Sequence, residues 1–258
     1  MAKIIAVTNQ KGGVGKTTTA VNLAACIAMR NRRVLLLDCD PQGNASSGLG
    51  INRKKLKYCI YDMLIEGMPA ERLTIKSKIE NLDVIPATIQ LAGAEVELAS
   101  QEDREQVLRN AVSSVSGKYD YIFFDCPPSL GLLTINAMVA SHSVLIPLQC
   151  EYYALEGLSQ LADTIFLVRK KMNPRLKIEG IVLTMFDGRT NLSIQVVDQV
   201  KRFFHKELYK TIIPRNVRLS EAPSHGQPVV TYDPRSRGAE VYGELAEEVL
   251  ERAEKRSW

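Results

Sequence analysis

The sequence has few cysteines, and their spacing forms no recognisable pair. The five cysteines are scattered through 258 residues without a CxxC motif or a Cys/His cluster. Zinc sites and disulfide frameworks depend on such spacings, so the sequence argues against both. An iron–sulfur electron carrier is disfavoured for the same reason. We expect reduced thiols, most of them buried.

Long apolar runs are also missing. No stretch reaches the roughly eighteen consecutive apolar residues that cross a bilayer. The first residues lead directly into an apolar strand pattern, without the features of a signal peptide. The sequence therefore predicts a cytoplasmic protein.

Neither sign of charge dominates the composition. The net charge is +4, and hydrophobic residues make up 45% of the chain. This mild positive balance permits nucleic-acid binding without requiring it, so the placement of charge matters more than its sum. Glycine and proline contents are ordinary, which excludes a disordered or collagen-like chain. Length and composition together predict a single domain over residues 1–258.

Apolar strand patterns alternate with helical patterns along the sequence. Strands are predicted at Lys3–Val7, Val34–Asp38, 82–86, Tyr121–Asp125, 143–147, 178–183 and 211–214. Helices are predicted near 17–29, 89–99, 104–115, Leu132–Ala140, 155–171, 193–205 and 239–253. This alternation is typical of an α/β fold, with a mostly parallel twisted sheet and helices on both faces. The polar and basic stretch 43–58 is predicted to be a mobile loop.

A glycine-rich stretch lies between the first strand and the first helix, where residues 9–19 read NQKGGVGKTTT. In this context a glycine loop predicts a phosphate site, because its N–H groups and the helix N-terminus face the same anion. The predicted loop residues are Gly12, Gly13, Val14 and Gly15, followed by Lys16, Thr17 and Thr18. Lys16 would reach the β- and γ-phosphates, Thr17 would bind Mg²⁺, and Thr18 would contact the α-phosphate.

Two predicted strands end in carboxylates. Asp38 ends the second strand, and Asp40 follows two residues later, where Pro41 breaks the strand. A carboxylate at this position can orient water for attack on the γ-phosphate. Asp125 ends another strand after an apolar run, as in a Walker B strand that holds Mg²⁺. A strand-ending turn capped by aspartate remains an alternative for Asp38 and Asp40.

The glycine loop departs from the general GxxxxGK[ST] pattern at Gln10, which replaces the first glycine and precedes Lys11. KGGVGKT is a deviant Walker A motif and resembles the family of ParA, MinD and nitrogenase iron-protein ATPases, which implies a P-loop NTPase of that type. In that family the early lysine, here Lys11, reaches the partner's nucleotide across an ATP-dependent sandwich homodimer. The resemblance further implies that Asp40 belongs to switch I and is needed for hydrolysis. It places Asp38 near the magnesium waters.

Later segments resemble chromosomal ParA proteins of the Soj type, namely residues 149–157, 214–224 and 232–239. Met185 follows a strand where these ATPases hold adenine, and Pro214 and Asn216 look like the family's base-contacting pair. Turn chemistry alone would also select proline and asparagine at those two positions, so that alternative stays open.

Basic residues near the end of the chain bear on nucleic-acid binding. Arg189 and Arg218 fall at positions where Soj-like proteins contact DNA. Lys201, Arg202 and Lys206 share a predicted helix face and are expected to extend a basic strip. The sequence shows no recognition helix, so any DNA binding is expected to be independent of sequence and sensitive to salt.

The resemblance implies a partition ATPase that hydrolyses ATP to ADP and phosphate with Mg²⁺. ATP would drive dimerisation and binding to double-stranded DNA, and hydrolysis stimulated by a ParB-like partner would release it, so the protein is expected on the nucleoid. The alternative is a MinD-like ATPase at the membrane. The last predicted helix opposes it, because that helix is rich in glutamate and suited to packing on its own protein. A small-molecule enzyme of the same fold would need a substrate pocket, which the sequence does not reveal.

Overall fold

The computed structural model describes residues 2–255, which contain one eight-stranded sheet. The strands are β1 Lys3–Val7, β2 Val34–Asp38, β3 Ile75–Lys76, β4 Leu82–Ile85, β5 Tyr121–Asp125, β6 Ser143–Gln149, β7 Lys177–Phe186 and β8 Leu208–Pro214. Their order across the sheet is β3-β4-β2-β5-β1-β6-β7-β8. All neighbouring strands are parallel except the short edge strand β3, which is antiparallel to β4.

Helices connect the strands and cover the sheet. Over residues 2–255 the helices are α1 Lys16–Ala28, α2 Asn44–Gly48, α3 Ile60–Leu64, α4 Ala70–Leu73, α5 Leu91–Ala99, α6 Val107–Ser113, α7 Leu132–Ala140, α8 Ala154–Lys171, α9 Asn191–Phe204, α10 Val217–Glu221, α11 Val229–Tyr232 and α12 Arg237–Lys255. Short 3₁₀ turns occur at Arg53–Lys55, Ser116–Lys118 and Ala222–His225.

Alternate residues of the central strands pack on opposite faces of the sheet. Ile5 and Val7 of β1 lie in one core with α1 and α12, whereas Ile4 and Ala6 pack on the other face with α3, α5, α6 and α7. A third core joins β6 and β7 to α8 and α9. A parallel sheet of continuous apolar strands must be covered in this way. The predicted α/β fold, mostly parallel with helices on both faces, is confirmed.

The strand order places the glycine loop at the centre of one edge of the sheet. β1 lies between β5 and β6, with β2 to β5 on one side of it and β6 to β8 on the other. We call the edge at which the parallel strands end the carboxyl edge. In open α/β sheets ligands bind at this edge, near the strand where the order reverses. The loops after β1, β2, β5, β7 and β8 therefore meet there.

The prediction of a mobile loop over residues 43–58 is wrong for its first part. This part contains α2, and Ala45 and Ser46 of that helix are buried. The Asp38 carboxylate accepts hydrogen bonds from the Ser46 N–H at 2.8 Å and hydroxyl at 2.7 Å, which fixes the helix on the end of β2. Local sequence does not show such a contact, since the stretch itself is polar and glycine-rich.

Besides α2, the elements that the sequence patterns missed are also short. These are α3, α4, β3, α10 and α11, each of two to five residues. Strands β7 and β8 extend beyond their predicted bounds, and α6 is shorter than the predicted helix 104–115. Periodicity needs about two helical turns to be visible, so such errors are expected.

The last helix packs on its own protein, as its sequence pattern predicts. Val241, Leu245 and Val249 of α12 are fully buried in the core that also contains α1. The Tyr242 hydroxyl lies 3.2 Å from the Thr19 hydroxyl of α1. This buried stripe is unavailable for a membrane surface. Among the described residues, no helix combines the length and apolar character needed to cross a bilayer.

Candidate functional site

The glycine loop has the backbone shape of an anion cradle. Gly13 and Gly15 adopt left-handed conformations, with φ of 75° and 86°, which side chains with a Cβ rarely tolerate. Helix α1 begins at Lys16, directly after Gly15, and Gly15 offers no side chain to cap the first-turn N–H groups. These N–H groups and the positive end of the helix dipole are therefore directed at the carboxyl edge, where an anion would bind.

Contacts from distant strands hold the loop in place. The Thr184 hydroxyl of β7 donates a hydrogen bond to the Val14 carbonyl at 2.9 Å. The Asn9 carboxamide donates to the Pro147 carbonyl at 2.8 Å and accepts from the Lys11 N–H at 3.0 Å. Thr184 is not among the site residues predicted from the sequence. Its role as an anchor depends on a contact between residues 170 positions apart, which no local signal reveals.

Lys16 lies inside the cradle. Its side chain is buried, and its ammonium donates to the Lys11 carbonyl at 2.8 Å. Burial lowers the pKa of Lys16, and the nearby Asp125, Cys126 and Asp40 oppose this shift. A desolvated ammonium with few fixed partners is suited to an incoming polyanion, because the phosphates would replace its lost hydration.

Asp125 is buried without a normal hydrogen-bond partner. It pairs in register with Asp38 of the neighbouring strand β2. Both Asp125 carboxylate oxygens are shielded from solvent, and neither makes a hydrogen bond of normal geometry within residues 2–255. Burial raises the pKa of Asp125 well above its usual range, the Asp38 charge raises it further, and Thr17 and Lys16 lower it. A divalent cation bound here would satisfy both oxygens, so these residues fit Mg²⁺.

Asp38 has a different environment from Asp125. Its carboxylate accepts hydrogen bonds from Ser46 and, at 3.3 Å, from the Asp40 N–H. Burial raises the pKa of Asp38 to about 6, although the hydrogen bonds from Ser46 lower it. In the structure this side chain therefore holds α2 and the Asp40 turn. Its predicted position near the magnesium waters stays a prediction.

Asp40 lies beside the cradle. It lines a cavity of about 330 Å³ together with Gly12, Lys16 and Thr17. The carboxylate oxygen Oδ1 accepts the Gln42 N–H at 2.8 Å, which fixes the side chain as the cap of a turn. Asp40 therefore caps a turn, as the alternative interpretation predicts, and it also lies next to the glycine loop.

Three further residues line the same cavity, although the sequence did not single them out as site residues. Gln42 and Asn44 follow Asp40, and Pro128 follows β5. Of their motifs, DPQGN and DCPPS, only the aspartates are predicted as site residues from the sequence. The signal that could have identified these three residues is a turn directly after each strand-ending carboxylate, because such turns face the carboxyl edge.

The residues predicted to contact adenine line a second cavity. Met185, Pro214 and Asn216 surround about 520 Å³ of space, and Gly15 and Thr18 also line it. Gly15, Thr18 and Met185 line both cavities, so the two adjoin, and we call them together the cleft. Asn216 also accepts the Arg218 N–H at 2.9 Å and caps α10, so the turn chemistry considered above is present as well.

Met185 has a strained backbone in this cleft. Its φ is 51°, in the left-handed region that residues other than glycine, asparagine and aspartate seldom adopt. Such strain persists only where the surrounding structure enforces it, and it is frequent at ligand sites. Here the strain occurs near the end of β7, where the chain turns between the two cavities.

The two arginines predicted to contact DNA are exposed and paired within the chain. Arg189 contacts Asp187 at 2.6 Å, and Arg218 contacts Glu221 at 2.8 Å and Asp233 at 3.1 Å. Both arginines follow strands β7 and β8, so they share the carboxyl edge.

Arg215 joins this group. It lies directly after β8, and its charge contributes to the lowered pKa of Asp187, after the hydrogen bonds from Arg189. The sequence reading did not include Arg215. It lies between Pro214 and Asn216, the pair that is predicted to contact the base.

The predicted basic strip does not continue from Arg189. Lys201 and Arg202 occupy the last turn of α9, and Lys206 follows that helix. Helix α9 begins close to Arg189 and runs away from the carboxyl edge toward the start of β8, at about 1.5 Å per residue. These three cations therefore lie near the opposite edge of the sheet. The expectation that they extend the strip is wrong for this reason.

Comparison with known proteins identifies the family. A family model described as an AAA domain matches residues 2–178. The sporulation initiation inhibitor protein Soj of Bacillus subtilis is 64% identical over 249 residues, which cover 96% of this chain and 98% of Soj. The chromosome partitioning protein ParA of Myxococcus xanthus is 56% identical, and the match covers 98% of this chain and 89% of ParA. The chain belongs to the Soj/ParA family.

A solved structure shares the fold of this chain. Cobyrinic acid a,c-diamide synthase from Mycobacterium smegmatis, with a bound ATP analogue and magnesium, superposes with a TM-score of 0.87 at 36% identity. The match covers 100% of this chain and 98% of that protein. Membership of the Soj/ParA family makes this chain a partitioning NTPase that uses ATP and Mg²⁺.

Proposed function

We propose that the chain is an ATP hydrolase that dimerises with ATP, binds double-stranded DNA without sequence preference and releases it after hydrolysis. We also propose that residues 1–258 act as one domain. The observation that carries the proposal is the convergence of Lys16, Asp40 and Asp125 at the start of α1, in a cleft that continues to Asn216. A polyphosphate with an attached base fits that succession of environments.

Binding follows from the geometry of the cleft. The N–H groups of the glycine loop, from Gly12 to Gly15, would surround the phosphates, and the Lys16 ammonium would leave the Lys11 carbonyl to contact them. Thr17 and Asp125 would hold Mg²⁺, which neutralises charge on the phosphates when it is bound. Asp38 would keep its hydrogen bonds to Ser46 and so fix the position of Asp40.

Hydrolysis requires a positioned water molecule and stabilisation of negative charge. Asp40 is the carboxylate beside the cradle that we assign to orienting the attacking water. Lys11 would supply a positive charge to the nucleotide of the partner subunit, so turnover would depend on dimerisation. Phosphoryl transfer needs little beyond such positioning and electrostatics.

The carboxyl edge supplies a DNA surface. Arg189, Arg215 and Arg218 lie along it, on the loops that flank the base cavity. A dimer would present two such surfaces, and affinity for phosphates rises steeply with the number of cations engaged. We infer that ATP controls DNA binding through dimerisation, that the protein associates with the nucleoid, and that a ParB-like partner stimulates hydrolysis.

A neutral residue at position 125 is expected to stabilise the ligand-free protein. Asp125→Asn removes a buried carboxylate that lacks a normal hydrogen-bond partner within residues 2–255. We expect a gain of about 1–2 kcal/mol in the free energy of unfolding, that is a melting temperature higher by about 2–8 °C. Scanning calorimetry at pH 8 measures this change. Added Mg²⁺ and ATP should raise the melting temperature of the wild type more than that of the variant.

The pH dependence provides a second check on Asp125. Its folded-state pKa is raised, so the folded protein binds more protons than the unfolded chain between the usual and the raised pKa. Stability of the wild type should therefore fall as the pH rises through that window, and the variant should lack this fall. Asp198→Asn, at an exposed position on α9, is the control and should change neither property. A less stable Asp125→Asn protein would contradict the assignment.

Charge reversal at the carboxyl edge is expected to abolish DNA retention. The double variant Arg189→Glu with Arg218→Glu should lose at least about 100-fold in affinity for double-stranded DNA at low salt, because two phosphate contacts per subunit become repulsive. Fluorescence anisotropy with ATP, ADP and no nucleotide measures retention. The wild type should retain DNA with ATP alone, and light scattering should show that the double variant still dimerises.

Two arginines at the other edge of the sheet provide a matched control. Arg109 and Arg175 are exposed. Burial lowers the pKa of His142, which precedes β6 at the opposite edge of the sheet, and the charges of both arginines lower it further. Their double substitution by glutamate makes the same change in net charge, and we expect DNA retention close to wild type. Equal losses from the two double variants would show a general charge effect and contradict a local DNA surface.

A further inference from the structure

The turn between β6 and α8 contacts Lys11 through residues that the proposed mechanism does not use. The Lys11 ammonium forms an ion pair with Glu151. The other carboxylate oxygen of Glu151 accepts a hydrogen bond from the Gln149 side chain, and Gln149 is the last residue of β6. Glu151 is thus held on one side by the strand end and holds Lys11 on the other.

The residues before Lys11 are fixed to the same part of the chain. Asn9 donates to the Pro147 carbonyl of β6 at 2.8 Å, and Gln10 donates to the Gln160 side chain of α8 at 2.7 Å. The backbone that carries Lys11 is therefore anchored on both sides of the β6–α8 turn. With its backbone fixed, Lys11 is held against its own subunit by the contact with Glu151.

We propose that Glu151 is a positioning residue that keeps the Lys11 ammonium on its own subunit until ATP-driven dimerisation transfers it to the partner's phosphates. This inference rests on the proposed function, in which Lys11 acts across the dimer. In this proposal the contact of Lys11 with the partner's nucleotide replaces its contact with Glu151. The ion pair therefore stabilises the monomer relative to the dimer, and its loss favours the dimer.

The exposure of the pair makes it suited to this exchange. The side chains of Lys11 and Glu151 are 39% and 40% exposed, so solvent weakens their attraction and the pair can open. A nucleoside triphosphate carries several negative charges and attracts the ammonium more strongly than one carboxylate does. Two ion pairs open for each dimer that forms, so the effect of one pair counts twice in the dimerisation equilibrium.

The test measures dimerisation as a function of nucleotide concentration. Wild type, Glu151→Gln and Glu156→Gln are titrated with a non-hydrolysable ATP analogue and Mg²⁺, and the dimer fraction is measured by analytical ultracentrifugation. Glu151→Gln keeps the size of the side chain and removes its charge. We expect half-maximal dimerisation at an analogue concentration about three- to tenfold lower. Glu156, exposed in the first turn of α8, carries the same charge and should leave the midpoint unchanged on substitution.

A second pair of proteins separates an effect through Lys11 from a general structural effect. In a Lys11→Gln background, the further substitution Glu151→Gln should leave the dimer fraction and the melting temperature unchanged, since the ion pair is already absent. An equal shift in both backgrounds would overturn the proposal, because Glu151 would then act without Lys11.

The two levels of inference fail in different ways. A wild-type protein that stays monomeric at every analogue concentration would overturn the proposed function, and this inference with it. A wild type that dimerises while Glu151→Gln shows an unchanged or weaker response would overturn the role of Glu151 alone.

Discussion

Replacing Lys16 with alanine is expected to abolish nucleotide binding. The Lys16 ammonium is the buried cation in the cradle, and burial already lowers its pKa. Hydrogen bonds to charged groups contribute about 1.5–3 kcal/mol each, and 1.4 kcal/mol corresponds to a factor of ten in affinity. With contacts to two phosphates lost, we expect affinity for ATP and Mg²⁺ to fall by at least about 100-fold. Isothermal titration calorimetry measures this loss directly.

Two further variants show whether the effect at Lys16 comes from its charge and its position. Lys16→Gln keeps a hydrogen-bond donor without the charge, so it should also bind poorly if electrostatic attraction dominates. Lys55→Ala removes an exposed lysine from the 3₁₀ turn after α2 and should bind like the wild type. Wild-type affinity in Lys16→Ala would show that the glycine loop is not the phosphate site, and the proposed function would fail with it.

The prediction of the fold succeeded where long patterns determine the structure. β1, β2 and β5 are uninterrupted apolar runs bounded by turn residues, and the structure reproduces their predicted bounds. Such strands are buried on both faces, so their sequence carries a strong signal. Helix α2 was missed because Asp38, outside the helix, fixes it through Ser46, and because Gly50, which follows it, lies close to the backbone of Gly226. Both interactions depend on the tertiary structure.

The candidate site was predictable for the residues that belong to contiguous motifs. Lys16, Asp40 and Asp125 come from three separate strand ends, and the rule that parallel strands end at one edge brings them together. The environment of each carboxylate was not predictable. Asp38 is fully hydrogen-bonded and Asp125 is not, because α2 folds over one and only the cradle faces the other.

The ion pairs of Lys11 and Arg218 were also not predicted from the sequence. Glu151 is 140 residues from Lys11, so no local pattern connects them. Asp233 lies in a segment that was quoted only for its resemblance to the family, and it pairs with Arg218 at 3.1 Å. The ion-pair partners of long, flexible side chains are determined by the tertiary structure, so sequence spacing does not predict them.

Replacing Asp40 with alanine is expected to stop hydrolysis while leaving ATP binding intact. Asp40 lines the cavity beside Lys16, but it belongs neither to the glycine loop nor to the proposed magnesium site at Thr17 and Asp125. Loss of a residue that positions the attacking water should lower the hydrolysis rate by about 100-fold or more. Affinity for ATP should stay within about threefold of the wild type. The protein should then accumulate as an ATP-bound dimer, because the step that dissolves the dimer is blocked.

Phosphate release and light scattering on the same sample test both parts of this expectation. Asp40→Asn is the matched variant, since its side-chain oxygen can still accept the Gln42 N–H bond that Asp40 accepts at 2.8 Å. It therefore removes the charge and keeps the turn. If both variants form stable ATP dimers, the carboxylate itself is required for hydrolysis. If only Asp40→Ala loses activity, Asp40 acts by shaping the turn, and a monomeric variant with rapid turnover would remove Asp40 from the mechanism altogether.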